Sequence, residues 1–305
     1  MTGPYGEKPG VDNGTKSAIH IFYSLDSGES FKLLGYIDME RNLGLGVWEP
    51  FMLYEKETGK LFCYYSDDSL PDHDQKIVFK YSTDMINWVG EGGTVDCTRY
   101  KTLKKQDYPE PFDVIACDNP EYRPGMPEVV RMSNGEYYMV YEMYPGWHLG
   151  DFNGDVYFKK TRDPGDWGNP ADYGAPVRTV DGKMLASAPY VGWTPAGGEN
   201  GMLLVSGRHM ISGEETSIHK DDVFVSFDFG ENFTSFENPF DLNKRFGHWS
   251  GRHPVIEFSP DMKTLYYTNQ ICNEAGDGNE MWLARYRIRE RKQECVKKTT
   301  ARKPL

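Results

Sequence analysis

The sequence predicts an all-β fold, a β-propeller built from four-stranded antiparallel blades. Three observations support this prediction: strand-like hairpins recur along the chain, four related turn motifs lie between them, and no long window has helical periodicity. Radial repetition of four-stranded sheets makes a propeller. With 305 residues, 14% of them aromatic, the chain can bury a large core, and one propeller domain accounts for its length.

The clearest hairpin lies between residues 123 and 143. Two apolar runs, MPEVVRM and EYYMVYEM, are joined by Ser133-Asn134-Gly135. Asn-Gly between such runs predicts a type I′ turn, because both residues tolerate positive φ. With the turn at one end, Arg123 and Glu142 come together at the other end. The hairpin therefore brings an arginine and a carboxylate to one rim of a sheet, and we expect them to lie in contact.

Similar hairpins precede and follow this one. Their paired runs are WEPFMLYE with LFCYYSDD, APYVGWTP with GMLLVSG, and HPVIEFSP with TLYYTNQ. A third strand, KIVFKYS, DVYFKKT or DVFVSF, follows each of the first three hairpins. Each unit thus reads as a four-stranded meander. The long segment 93–122 is expected to be an inter-blade loop or insert, and it is the candidate for a loop that blocks one end of a substrate groove.

A turn motif recurs at SLDSGESF, STDMINW, TRDPGDW and SFDFGENF. Each has Ser or Thr, then any residue, then an aspartate, a short turn and an aromatic residue; the aspartates are Asp26, Asp84, Asp163 and Asp228. This is the Asp-box pattern of sialidases and related propellers. Its chemistry is structural, because the aspartate accepts backbone N–H groups while the aromatic packs beneath the turn. We place the boxes on the rim opposite the functional residues.

The positions of the predicted blades divide the chain into three segments. Residues 1–18 form a polar N-terminal segment, 19–288 the propeller domain and 289–305 a basic C-terminal tail. The run AIHIFYSLDSGESFKLLGYI supplies two strands, so the first blade is expected to be incomplete. The last unit has two strands and a third at EMWLARYRI.

In a meander blade, the start of strand one and the end of strand two share a rim. Carboxylates, arginines, histidines and tryptophans at this rim would converge around a central funnel, a combination suited to a sugar. The rim set is Trp48, Glu49, Asp67, Asp68; Arg123, Glu142, Tyr144, Trp147; Ser187, Arg208, His209, with Glu214 and Glu215 on the following loop; and His248, Trp249, Arg252, His253, Asn269 and Gln270. Because Asp67 and Asp68 are adjacent, we expect one of them to serve a turn.

Composition limits the partners. The net charge of −12 argues against binding to nucleic acid or to an anionic membrane surface, and no apolar run could span a membrane. The five cysteines show neither zinc spacing nor a complete disulfide framework, and we expect neither metal nor cofactor. The N-terminus lacks the apolar core of a signal peptide. We expect a monomer whose partner is an oligosaccharide or polysaccharide.

The chain resembles the exo-α-1,5-L-arabinanases of glycoside hydrolase family 93. The resemblance lies in the order of its motifs, which are WEPF, STDxxNW, RPGMP with NG and VYE, SAPY and WSGRHP. The similarity covers roughly residues 20–288. It implies a six-bladed propeller of the sialidase type, an extracellular location, and a retaining, exo-acting hydrolysis of arabinan by two glutamates. Glu142 matches the nucleophile position, with a pKa that Arg123 would lower. The resemblance assigns the acid to Glu214 or Glu215, and failing those to Glu49.

The other rim residues are the predicted substrate contacts: Trp48, Glu49, Asp67, Arg123, Trp147, Arg208, His209, Trp249, Arg252 and His253. Glu49 could equally be a structural carboxylate between blades, and Arg123 could simply neutralise Glu142. Two alternative functions remain open. A sialidase-like hydrolase could use Arg123, Arg208 and Arg252 to bind a substrate carboxylate. A propeller could also bind carbohydrate without catalysis.

Overall fold

Antiparallel β-strands make up almost all the regular structure of the protein in a computed structural model. It describes residues 17–41, 45–144, 154–212, 215–218, 223–237, 254–272 and 279–288, and at 212, 215–218, 271, 272 and 279 the backbone alone. Within these ranges the strands form five sheets, accompanied by two 3-10 helices, η1 (Cys97–Arg99) and η2 (Lys105–Asp107). None of the helices there is long and apolar enough to cross a membrane. The all-β prediction is confirmed.

The five sheets follow the chain. The first sheet pairs β1 (Ala18–Tyr23) with β2 (Lys32–Met39). The second contains β3 (Val47–Glu55), β4 (Lys60–Asp67), β5 (Lys76–Ser82), β6 (Asn87–Gly90), β7 (Gly93–Asp96) and β8 (Phe112–Ile115). The third begins with β9 (Arg123–Arg131), β10 (Tyr137–Tyr144), β11 (Asp155–Thr161), β12 (Ala175–Pro176) and β13 (Met184–Ala186).

The fourth sheet contains β14 (Tyr190–Thr194), β15 (Met202–Ser206), β18 (Val223–Ser226) and β19 (Thr234–Phe236). Between β15 and β18 the chain makes β16 (His209–Ser212) and β17 (Glu215–Ile218), which extend the third sheet. The fifth sheet contains β20 (Val255–Phe258), β21 (Thr264–Cys272) and β22 (Asn279–Arg287). The strands of the predicted hairpins are all present.

The sheets stack face to face, and alternation along the second strand of a sheet shows how. On β4, Cys63 and Tyr65 pack into the core shared with the first sheet, whereas Phe62 and Tyr64 pack into the core shared with the third. Further apolar clusters join the third sheet to the fourth and the fourth to the fifth. The first strands also lie side by side, with β3 against β9, β9 against β14, and β14 against β20. Radial packing requires this arrangement.

The hairpin of β9 and β10 is confirmed, but its predicted turn type is wrong. Gly135 has a φ of 82°, and Asn134 is absent from the positive-φ residues, whereas a type I′ turn needs both. The N–H of Gly135 donates to the carbonyl of Met132 at 3.1 Å, and the N–H of Met132 donates to that of Glu136 at 2.8 Å. The connection is therefore a three-residue loop closed by a left-handed glycine.

The Asp boxes lie at the predicted turns, on the rim opposite Glu142. The box aspartates accept backbone N–H groups: Asp84 from Asn87 at 2.7 Å and Asp228 from Asn232 at 3.0 Å. The hydroxyl and the N–H of Ser30 and the hydroxyl of Ser24 donate to Asp26, and these bonds lower its pKa to about 2. The β5 box follows Ser82, which pairs with Leu61, far from the Val47–Asp67 end of the same sheet. The boxes thus stabilise turns.

Segment 93–122 is an insert at the edge of the second sheet, and its role as a blocking loop stays a prediction. Its strand β8 pairs with β5 on the outer part of the second sheet, and η1 packs against β2. A Cβ on Gly35 of β2 would lie 2.0 Å from the carbonyl oxygen of Cys97, so only glycine permits this close approach. Val95 and Leu103 of the segment pack between the first two sheets, whereas Val114 and Cys117 pack between the second and the third.

Two carboxylates meet where the first strands converge. Glu128 of β9 is half-buried, with its Oε2 atom buried and without a hydrogen-bond partner. Glu257 of β20 accepts a hydrogen bond from the Tyr190 hydroxyl of β14 at 3.1 Å. Burial, together with the charge of Glu257, raises the pKa of Glu128 from 4.5 to about 9. Glu128 is therefore neutral at pH 7.

This pKa predicts an alkaline loss of stability. Because the folded-state pKa lies above the unfolded value, the contribution of Glu128 is fully present below about pH 4.5 and is lost as the pH rises to about 9. We expect Glu128→Gln to match the wild type at about pH 5 and to exceed its free energy of unfolding at about pH 9. Urea denaturation at both values checks this, with the exposed Glu121→Gln as control. Equal pH slopes for wild type and Glu128→Gln would contradict it.

Candidate active site

The predicted rim exists at the start of β9 and the end of β10. Glu142 pairs across the ladder with Gly125, and Tyr144 pairs with Arg123. The adjacent start of β3 carries Glu49, whose carboxylate contacts the β9 backbone. Two glutamates from neighbouring sheets are thus brought together, because each occupies the same end of its hairpin. Their placement on one rim follows from the strand register.

A shared backbone feature marks the entrance to the first strands. Glu49, Met126 and Ala188 have φ values of 57°, 55° and 44°, and each immediately precedes a proline. Left-handed conformations are strained for residues other than glycine and cluster at functional sites. The strain turns individual N–H groups out of the strand ladder, where they meet the rim carboxylates.

Glu142 lies in a confined environment. Its Oε2 atom accepts the N–H of Ala188 at 2.8 Å, and Ser187 supplies a second, hydroxyl donor. Burial and the charge of Glu49 outweigh these donors and the charge of Arg208, raising the pKa of Glu142 from 4.5 to about 7. The predicted lowering of this pKa is therefore wrong. At neutral pH the carboxyl group is poised between its two protonation states.

Glu49 is the second carboxylate. Its Oε2 atom accepts the Ser66 hydroxyl and the N–H of Met126, both at 3.0 Å. The residue as a whole is exposed, yet desolvation still raises the pKa of its carboxyl group against these donors and the charge of Arg123. Glu49 thus combines accessible surface with a carboxyl group that is partly removed from water. The hydrogen bond to β9 also gives Glu49 a structural role between sheets.

Arg123 and Glu142 share a rim as predicted, but the hydrogen bonds of Arg123 that define its position go elsewhere. They reach Oε1 of Gln75 at 2.6 Å, the carbonyl of Asp74 at 2.9 Å and Oδ2 of Asp68 at 3.4 Å. The cation that lowers the pKa of Glu142 is Arg208. Arg123 thus pairs with Asp68, and the charge of Arg208 acts on Glu142, while a direct contact between Arg123 and Glu142 stays a prediction.

Asp67 and Asp68 divide their roles. Asp67 is 1% exposed, and its Oδ1 atom accepts the N–H and hydroxyl of Ser69 at 2.8 and 2.6 Å. We therefore assign Asp67 to the turn rather than to the substrate, against its prediction as a sugar contact. Asp68 accepts the N–H of Gly46 and pairs with Arg123. Asp68 thus anchors the arginine at the rim.

The other predicted sugar contacts differ in exposure, and some lie outside the part of the chain that the structure describes. Trp48 is 39% exposed and can present a ring to a sugar, and His209 is half-buried at the start of β16. Glu215 opens β17 and pairs with Ser212, so it lies on a hairpin rather than the predicted loop. Predicted site residues outside the described ranges are Trp147, Glu214, His248, Trp249, Arg252 and His253.

The site also contains groups that the sequence interpretation missed. Ser66 and Gln75 hold Glu49 and Arg123, and a Cβ on Gly125 would lie 2.5 Å from Nε2 of Gln75. The Ala188 N–H was missed because backbone donors leave no residue-type signature. A repeated residue-proline step near the start of β3, β9 and β14 was the available indication.

Neither a protein-family model nor a curated protein sequence matches the chain. A Penicillium chrysogenum α-L-arabinanase solved with arabinobiose matches with a TM-score of 0.65 at 25% identity, covering 88% of this chain and 67% of that one. A family 93 α-L-arabinofuranosidase of Fusarium graminearum solved with arabinobiose matches with a TM-score of 0.66 at 22% identity and the same coverage. Over most of its length the chain therefore resembles the propeller glycoside hydrolases of family 93.

Proposed function

We propose that the protein is a retaining glycoside hydrolase acting from the chain end on α-1,5-linked arabinan or a related plant polysaccharide. The observation that carries this proposal is Glu142, a rim carboxyl group with a pKa near 7 beside a second glutamate, on a fold resembling arabinan-acting enzymes. We take the five described sheets as blades of a six-bladed propeller of the sialidase type.

The pKa of Glu142 supports a role as general acid rather than as nucleophile. A group with a pKa near the working pH can give a proton to the leaving oxygen and accept one afterwards. Retention requires a nucleophilic carboxylate about 5–5.5 Å from the acid. The resemblance offers Glu214 or Glu215 as the partner of Glu142, and we propose one of them for this second carboxylate with the two roles exchanged, and Glu49 as their alternative.

The substrate would meet a rim of mixed chemistry. Trp48 offers an exposed aromatic face for a furanose ring, and Asp68 with Arg123 offers polar groups for hydroxyls. Two of the arginines that a sialidase would need for its substrate carboxylate already face protein carboxylates, Arg123 at Asp68 and Arg208 near Glu142. This arrangement favours a neutral sugar.

A hydrolysis screen tests the proposal. The protein is incubated with linear arabinan, debranched arabinan and sialyl-lactose, and the products are separated by chromatography. We expect arabinose or short arabino-oligosaccharides from both arabinans and no sialic acid, with proton NMR showing that the first anomer formed retains its configuration. Release of sialic acid would favour the sialidase alternative. Binding of arabinan in calorimetry without any product would favour a non-catalytic binding protein.

A further inference from the structure

The two rim glutamates are held by the same backbone device. The N–H of Ala188 donates to Oε2 of Glu142 at 2.8 Å, and the N–H of Met126 donates to Oε2 of Glu49 at 3.0 Å. Both donors have positive φ and precede a proline at the entrance to the first strand of the next sheet. A strained conformation that recurs with the same bonding pattern indicates a purpose beyond turn formation.

The geometry distinguishes the two oxygens of Glu142. An N–H group donates only to an oxygen with a free lone pair directed at it, so a proton on Oε2 directed at the Ala188 N–H would clash with it. The N–H of Ala188 therefore favours the proton of the neutral carboxyl group on Oε1, because the unprotonated oxygen is the better acceptor. The bond directs Oε2 toward the turn that enters the fourth sheet, so Oε1 is the oxygen that this N–H does not occupy.

We propose that the backbone N–H of Ala188 is the positioning group of Glu142, binding Oε2 and so making Oε1 the oxygen that delivers the proton to the substrate. This inference rests on the proposed function for its catalytic meaning, whereas the hydrogen bond and its effect on titration do not. The sheet-to-sheet contact thereby controls the acid: the third sheet supplies the carboxyl group, and the turn entering the fourth sheet orients it.

Other groups around Glu142 also affect the ionisation of its carboxyl group. The negative charge of Glu49 opposes ionisation, while Arg208 and the Ser187 hydroxyl favour it. Tyr144, whose hydroxyl lies 3.3 Å from Oγ of Ser187, has a raised pKa through burial and Glu142, so it remains a neutral neighbour. Among these groups the Ala188 N–H is a fixed main-chain donor, which cannot rotate away.

Exchange of one atom tests the inference. Ala188→lactic acid, introduced by nonsense suppression, replaces the N–H with an ester oxygen and keeps the side chain. The pKa of Glu142 is followed by the infrared carboxyl band that disappears in Glu142→Gln. We expect this pKa to rise by roughly one unit, because the lost bond favoured the ionised form. The kcat for arabinan is expected to fall about tenfold or more, with a smaller change in KM.

Two controls isolate the N–H group. Ala171→lactic acid removes an alanine N–H that donates to Oδ1 of Asn169 at 3.1 Å in an exposed turn, and should leave the band unchanged. Ala188→Gly keeps the N–H and tolerates positive φ, and should also titrate as the wild type does. A shift in Ala188→Gly as large as in the ester would overturn the proposal, since packing would then be responsible.

A measurement without any change at residue 188 covers the case of an ester that fails to fold. The amide proton of Ala188 should shift with pH in NMR spectra, with a midpoint near the pKa of Glu142, and Glu142→Gln should abolish this titration. An amide that ignores the pH would overturn the inference. Titration in a protein that cleaves no arabinan would support the hydrogen-bond assignment while the proposed function fails.

Discussion

Glu142→Gln is expected to lower kcat/KM for arabinan by about 10²–10⁴-fold, the usual contribution of a general acid. The amide keeps the size of the side chain and can still accept the Ala188 N–H, but it cannot give a proton to the leaving sugar oxygen. Initial rates on linear arabinan measure the loss.

An activated substrate separates the two possible roles of Glu142. A dinitrophenyl arabinofuranoside has a leaving group that needs no proton, so the acid variant should release the phenol in a burst and then stall, and azide should restore turnover. A nucleophile variant would instead lose the first step on both substrates. Equal losses on both substrates would return Glu142 to the nucleophile role.

The pH profile gives a further sign. An acid with a pKa near 7 must be protonated in the free enzyme, so kcat/KM for arabinan should fall above about pH 7, and this limb should vanish in Glu142→Gln. Glu128→Gln is the matched control, because it removes a half-buried glutamate of the same sheet away from the rim. Its kcat/KM should equal that of the wild type.

Much of the fold was predictable because it is periodic. Paired apolar runs with intervening turns located the strands from β3 to β5, and the box aspartates located the turns after β1, β5, β11 and β18. The rim position of Glu142 followed from hairpin register alone. Such features depend on residues close in sequence, where alternation and turn chemistry determine the outcome.

The rest depends on contacts between distant residues. β16 and β17 lie in sequence between two strands of the fourth sheet but pair with the third sheet. β8 pairs with β5, although β6 and β7 lie between them in sequence. No local sequence feature specifies either pairing. The pKa values at the site were unpredictable for the same reason, because they depend on residues that are distant in sequence. The pKa of Glu142 depends on burial, on Glu49 in a different sheet, and on the charge of Arg208 in the connection between β15 and β16. A sequence cannot rank such opposing effects.

Asp38→Asn is expected to cause a large loss of stability. Asp38 is 0% exposed and forms ion pairs with Arg41 at 2.6 Å and with the equally buried Lys80 at 3.0 Å, while the Tyr65 hydroxyl also donates to it. Burial opposes its ionisation, yet the charges of Lys80 and Arg41 hold the pKa of Asp38 below its usual value. The carboxylate is therefore the anion that two cations share.

Lys80 holds its charge less firmly than the other residues of this network. Burial lowers the pKa of Lys80 to about 8, because Asp38 must also serve Arg41, whose charge repels the ammonium group. An amide at position 38 would leave both cations without this anion. Breaking a buried ion pair from one side costs about 3–5 kcal/mol, and we expect the free energy of unfolding to fall by that amount in guanidinium denaturation.

The network also joins parts of the chain that local pairing does not. Arg41 donates to the carbonyl of Pro109 at 3.0 Å, and Lys105 donates to the carbonyl of Arg41 at 3.1 Å. Asp38 on β2 thereby ties the two-stranded first sheet to the segment that carries η2. Loss of this anchor should raise hydrogen exchange in β1 and β2 more than in the fifth sheet.

A matched control distinguishes the buried network from an ordinary ion pair. Asp113 contacts Lys76 at 3.3 Å but is 36% exposed, so Asp113→Asn should cost less than about 1 kcal/mol. If Asp38→Asn costs no more than Asp113→Asn, the network does not stabilise the fold. Asp38→Asn combined with Lys80→Met should recover part of the loss, because the second change removes one of the unpaired buried cations and fills its volume with an apolar side chain. Additive losses in the double variant would show instead that the two residues stabilise the first sheet independently.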